Sequence, residues 1–157
     1  MSKSDGPSTE FEKKTALLFT FLGYEVGSLG QGKGRVQDAI VKGLGYNDRQ
    51  IAFLVDCKAR KDLNYSINSA DKRALIEYSN TFFRNYKNKG KDVYLLIVSS
   101  GFSNAQDRAI KSIKSSTRIK GIILLETQEL LKILYKRLTN ADFDVAAICD
   151  ELTDKER

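Results

Sequence analysis

The sequence contains no histidine, and this absence removes more chemistry than any single residue adds. Without histidine there is no Ser-His-Asp triad, no Cys-His pair and no imidazole-ligated zinc. Cysteine is nearly as scarce. Cys57 and Cys149 are the only two, too few for a four-thiolate zinc cage or a disulfide framework, and they point to a reducing, cytoplasmic setting. The single proline is Pro7. No apolar run approaches the roughly 20 residues of a membrane-spanning helix. Residues 1–8 are polar, lack the apolar centre of a secretion signal and read as a flexible solvated tail. Hydrolytic chemistry, if present, falls to carboxylates, lysines and a hard metal ion.

A chain of 157 residues fits one ordinary domain, here residues 9–157, and a 41% hydrophobic content can fill its core. The net charge is +6. A basic surface suits a polyanionic partner, and the charge is clustered: Arg84, Lys87, Lys89 and Lys91 in one stretch, Lys111, Lys114, Arg118 and Lys120 in another. Solvated helix faces and ends account for both stretches equally well.

Periodicity gives the order of elements. Residues 9–22 predict an amphipathic helix, with Thr9 as cap, Glu12 three residues on, and Phe11, Leu18, Phe19 and Leu22 on one face before Gly23 stops it. A short strand is expected over residues 24–26, a glycine-rich loop over 27–34, a strand over 35–42, a turn over 43–49 and the clearest strand over 50–59. Residues 65–88 predict a long helix, with Tyr65, Tyr78, Phe82, Phe83 and Tyr86 packing it. Strands at 93–99 and 122–125 and helices at 104–114, 127–138 and 141–152 complete the chain. The implied fold class is α/β, a central mixed sheet flanked by helices, its later strands parallel.

The chemistry is concentrated in Ile51-Ala52-Phe53-Leu54-Val55-Asp56-Cys57-Lys58. Alternate side chains of a strand share a face, so Asp56 and Lys58 emerge together at its end while Cys57 points away as a packing residue. Asp38 lies on the preceding strand, joined by a short turn, and an antiparallel hairpin brings it towards Asp56. Two converging carboxylates are relieved by a divalent cation. Mg2+ suits one or two carboxylates completed by water and phosphate oxygens, with Mn2+ as a substitute. The backbone carbonyl of Cys57 is a further candidate ligand, and Lys58 stands beside the metal-bound water. Gly30-Gln31-Gly32-Lys33-Gly34 is similar to a phosphate-cradling loop but lacks the Walker spacing and the following Ser or Thr.

Glu12 on a first helix, Asp38 on a hairpin strand and Asp56-x-Lys58 on the next resemble the PD-(D/E)xK nuclease superfamily. Within it the chain looks most like the cleavage domain of FokI-type, or type IIS, restriction endonucleases. The likeness includes Leu22-Gly23-Tyr24, Ser28-Leu29-Gly30, Val55-Asp56-Cys57-Lys58-Ala59, Ala70-Asp71, Val98-Ser99-Ser100-Gly101-Phe102 and residues 121–131, and spans roughly residues 11–137. It implies a restriction-endonuclease-like fold and Mg2+-dependent cleavage of double-stranded DNA. It further implies Asp38 and Asp56 as metal ligands, Lys58 serving the attacking water, and dimerisation that brings one active site to each strand. Glu12 is open to two readings, a member of the metal or water network or a capping residue only. Gln37 departs from the family, which often has proline there, and this position supplies no ligand.

The length leaves no room for a sequence-recognition domain, so target choice is expected from another domain or subunit, in a homodimer or a heterodimer. Met1 and the polar tail favour a separate cleavage subunit over a module of a larger enzyme. Two other readings fit the same fold: a structure-selective nuclease of the Holliday-junction-resolvase kind, and a non-catalytic DNA-binding subunit.

Overall fold

Alternation along Gln50–Lys58 decides how the layers stack. In the computed structural model, which describes residues 7–27, 39–58, 64–85, 91–104 and 106–157, this segment is the middle strand of five. The chain runs α1 (Pro7–Leu22), β1 (Glu25–Gly27), β2 (Ala39–Leu44), β3 (Gln50–Lys58), α2 (Ser69–Asn85), β4 (Asp92–Ser99), α3 (Asp107–Ser116), β5 (Gly121–Glu126), α4 (Thr127–Thr139) and α5 (Val145–Thr153). Strands lie in sequence order across the sheet. β1–β2 and β2–β3 pair antiparallel, β3–β4 and β4–β5 parallel, so the sheet is mixed and flanked by helices, a restriction-endonuclease-like fold.

Each face of the sheet has its own core. Phe53, Val55 and Cys57 join Leu96 and Ile123 beneath Phe19 and Leu22 of α1, Ile133 of α4 and Ile148 of α5. Ala52, Leu54, Leu95 and Ile97 point the other way, under Leu75 and Phe82 of α2 and Ile110 and Ile113 of α3. The period-2 pattern read in the sequence is therefore met on both sides.

Several boundaries move, each for a local reason. α1 begins at Pro7, not Thr9; proline suits the first helical position because its missing N–H would have no partner there. Thr9 is consequently inside the first turn and Glu12 closes no capping box with it; the reciprocal box is formed by Glu126 and Glu129 at the head of α4. Gly23 does end α1, at φ +104. Residues 43 and 44, expected in the turn, belong to β2, paired with Ile51 and Gln50, and glycine is required at 43 because a Cβ there would stand 2.5 Å from the Tyr24 ring. The turn itself is Gly45 to Arg49, closed by Gly45 N–H donating to Arg49 O at 2.7 Å, with Asn47 and Asp48 at positive φ. α2 starts at Ser69 instead of Tyr65: Asn68 Oδ1 accepts from Asp71 N at 2.8 Å as a cap, and Tyr65 forms an extended bridge with Phe102. α3 starts at Asp107, and α5 at Val145 behind an Asp144 cap. The expectations for residues 1–6, 28–38, 59 and 86–88 lie outside the described residues.

The entrance to β4 is pinned by charge. Asp92 pairs with the Arg49 Nε at the hairpin turn and with Lys120 Nζ at 3.2 Å. Partial burial works against its charge, but hydrogen bonds from Arg49 and Lys120 outweigh this and hold its carboxyl below the usual aspartate range. Such a group stabilises the fold above the unfolded aspartate pKa, and the contribution is lost as pH falls through the depressed folded value. Asp92→Asn is expected to lower stability by about 1 kcal/mol near neutral pH. Urea unfolding over a descending pH series checks it: the gap between variant and wild type should close in acid, and a gap independent of pH contradicts the assignment.

Candidate active site

A carboxylate has been driven into the sheet at Asp56. Register places it beside Ile97 of β4, and the residue is only 3% exposed. Transfer of a lone ionised carboxylate to such a place is strongly unfavourable, so a nearby cation is required. Lys58, two residues on and therefore on the same face, supplies it: Nζ lies 3.1 Å from Asp56 Oδ2. Nζ also lies 3.6 Å from Oδ1 of Asp71, in the first turn of α2, and 6.0 Å above the Tyr65 ring centroid. The Tyr65 hydroxyl donates to Asp71 Oδ2 at 2.8 Å. One lysine thus stands between two carboxylates, its side chain 23% exposed.

Burial works to lower the Lys58 pKa, yet the Asp56 and Asp71 charges outweigh it and leave the pKa raised. Lys58 is an ammonium at neutral pH in this state, able to donate hydrogen bonds and attract anions but not to accept a proton. Its main chain is fixed as well. The Ser99 hydroxyl donates to Lys58 O at 2.9 Å, and Thr127 Oγ1 donates to Ser99 O at 3.3 Å.

Of the residues singled out in the sequence, Asp56 and Lys58 are brought together. Cys57 faces the opposite core as expected, packed beneath α1 and its neighbours. Asp38 lies outside the described residues; Ala39, which follows it, sits opposite Val55, which precedes Asp56. Asp48, the other acid of the hairpin, is in the turn at its far end. Glu12 is half-buried on α1, a helix that covers the face opposite Asp56 and Lys58. Asp71, Tyr65 and Ser99 also meet here, where linear reading gave Tyr65 only a packing role and Asp71 and Ser99 only a place in the family likeness.

The two basic stretches are placed elsewhere. Arg84 ends α2, Lys114 is in the last turn of α3, and Lys120 is tied to Asp92. The register Ile51↔Asp92 against Asp56↔Ile97 puts Lys120 at the opposite end of the sheet, about 16 Å along the strand at roughly 3.3 Å per residue. Among the described residues, Lys72 and Arg73 near the start of α2 and Arg108 in the first turn of α3 are cations at the Asp56 end. Lys87 and Lys89 lie outside the described residues.

Among the described residues no group of three or more Asp, Glu or Cys gathers to hold a metal. Those residues by themselves offer no all-protein cage for zinc or calcium. The set fits Mg2+, which keeps much of its water and needs only one or two carboxylates. Asp56 provides one, and the hairpin carries Asp38 immediately before its paired residues.

A family model described as FokI, cleavage domain, matches residues 1–157. The fold is similar to the restriction endonuclease FokI, with a TM-score of 0.74 and 17% identity over 96% of this chain and 28% of that one. It is also similar to the small subunit (R.BspD6I2) of the heterodimeric restriction endonuclease R.BspD6I, with a TM-score of 0.65 and 18% identity over 96% of this chain and 81% of that one. The chain therefore spans little more than a quarter of FokI. None of the curated proteins matches it.

Removing one member of a buried ion pair usually strands the other, but Lys58 keeps Asp71 and partial hydration. Asp56→Asn is accordingly expected to fold normally, with unfolding free energy within about 1 kcal/mol of wild type. Denaturant titration monitored by circular dichroism tests this. A loss of several kcal/mol would make Asp56 a structural charge.

Proposed function

The chain belongs to the FokI cleavage-domain family, and on that premise we propose that it hydrolyses phosphodiester bonds of double-stranded DNA with Mg2+, as the cleavage domain or cleavage subunit of a restriction enzyme. The observation that carries this reading is the buried Asp56 carboxylate paired with Lys58 at the carboxyl end of an otherwise apolar central strand. Ligands are commonly bound beyond that end of parallel strands.

In this reading Asp56, Asp38 and the Cys57 carbonyl hold the metal, with Mn2+ able to replace Mg2+. Bound there, Mg2+ would polarise the scissile phosphate and lower the pKa of a water molecule. Asp56 and Asp38 fix where that charge sits. Lys58, held as an ammonium, directs its N–H groups at the water and at the non-bridging phosphate oxygens, where negative charge grows as the new bond forms. It orients and stabilises. Lys72, Arg73 and Arg108, at the same end of the molecule, meet the flanking phosphates. Such contacts carry no sequence information, so target choice comes from another domain or subunit.

A single site of this kind cuts one strand. Cleavage of both strands requires a second site, from another copy of this chain or from a different nuclease chain. Glu12 is assigned no more than a supporting place, since its helix covers the other face.

With a supercoiled plasmid, Mg2+ and wild-type protein, nicked and linear products are expected, the linear form rising more than linearly with protein concentration if a second copy supplies the other site. Asp56→Ala and Asp38→Ala should abolish both products. Lys58→Ala should lose roughly a hundredfold to ten-thousandfold in turnover while DNA affinity persists. Lys58→Arg should not restore it, because a planar guanidinium cannot take the place of a compact ammonium. Wild-type cutting by Asp56→Ala sinks the assignment, and strong preference for a four-way junction over linear duplex replaces it with structure-selective cleavage.

A further inference from the structure

Resting on that reading, we infer that Tyr65 and Asp71 are positioning residues that aim the Lys58 ammonium. A lysine side chain has much rotamer freedom to lose, and Asp56 alone would draw the ammonium back onto the strand. Asp71 reaches it from α2, outside the sheet, so Nζ is suspended at 3.1 Å from one carboxylate and 3.6 Å from the other. Position between two anchors, rather than charge alone, is what an orienting donor needs.

Asp71 is itself anchored three ways. Its Oδ2 accepts the Tyr65 hydroxyl at 2.8 Å, its N–H is capped by Asn68 Oδ1, and it sits in the first turn of a 17-residue helix, where the helix dipole favours a carboxylate. Behind it, Tyr65 is fully buried and clamped. Its N–H donates to Gly101 O at 3.0 Å. Its carbonyl accepts from Ser103 N at 3.0 Å and from Gln106 Nε2 at 2.8 Å. Its ring meets Phe102 edge-on, with centroids 6.0 Å apart. Gln106, also fully buried, accepts at Oε1 from Ile67 N at 3.1 Å, so both ends of its amide tie the segment before α2 to the turn after β4. Two loops from different parts of the chain thus converge on one phenol, which holds one carboxylate, which holds one lysine. A plain core aromatic would be served by phenylalanine; the hydroxyl is what connects the clamp to the site.

Tyr65→Phe keeps the ring and removes only that hydroxyl. In single-turnover cleavage of a labelled duplex with Mg2+, it is expected to slow the chemical step roughly 10- to 100-fold while DNA Kd and the urea midpoint stay near wild type. Asp71→Asn should slow it at least as much, with Asp71→Glu recovering part of the loss. In a Lys58→Ala background Tyr65→Phe should have no further effect, since the group it positions is gone. A second readout needs no activity: the rate of Lys58 acetylation by an N-hydroxysuccinimide ester, followed by mass spectrometry against the other lysines, should rise severalfold in Tyr65→Phe and Asp71→Asn. Wild-type protein that fails to cut any duplex would overturn the functional proposal, and the acetylation rates would still decide this one. Unchanged acetylation of Lys58 overturns the inference, as does a cleavage defect in Tyr65→Phe that adds in full to Lys58→Ala.

Discussion

Everything at the working end of this molecule depends on one buried negative charge. Asp56 lies in a strand whose neighbours Val55 and Cys57 are core residues, and almost none of it reaches solvent. The effective penalty for burying such an ion is several kcal/mol even after relaxation. At 3.1 Å and an effective dielectric near 20, the attraction to Lys58 is about 5 kcal/mol, of the same order. The pair therefore roughly breaks even, and folding gains little by keeping it. On the proposed function, its use lies in placing an anionic oxygen ligand and a cation at a defined point where water is scarce and charges act strongly.

The scaffold explains why the point is defined. β3 has a strand on each side and a helical layer on each face, so Asp56 has no freedom to turn outward. Parallel pairing with β4 sends α2 back across the sheet and then α3 beside it, and both helices begin at the end where Asp56 and Lys58 emerge. Helix starts with positive partial charge and exposed Arg73 and Arg108 make that end attractive to an anion, whereas Lys120 at the other end is already committed to Asp92.

Period-2 alternation was enough to place Asp56 and Lys58 together and Cys57 apart, because a strand's geometry links neighbours at i and i+2 directly. Element order, sheet type and helix faces were legible for the same reason. The failures share a different cause. Linear clustering of Lys111, Lys114, Arg118 and Lys120 says nothing about which end of the sheet they reach, and the structure carries most of them away from Asp56. Gly43 reads as a turn residue by composition, while its role is to clear space for the Tyr24 ring brought from the link between α1 and β1. Tyr65 reads as part of a helix because its spacing fits one, but the Asn68 cap starts the helix later and frees Tyr65 to reach back to Asp71. Contacts such as Gln106 to Tyr65 join residues about forty positions apart, and no local periodicity encodes them.

The central claim is that the Asp56 end of the sheet binds the divalent ion used in hydrolysis. Calorimetric titration with Mn2+ tests it without recourse to DNA. Wild-type protein should show a saturable site that is lost in Asp56→Ala and in Asp38→Ala and retained in Asp48→Ala, whose side chain belongs to the far turn of the hairpin. Undiminished Mn2+ binding in a folded Asp56→Ala protein would contradict the account.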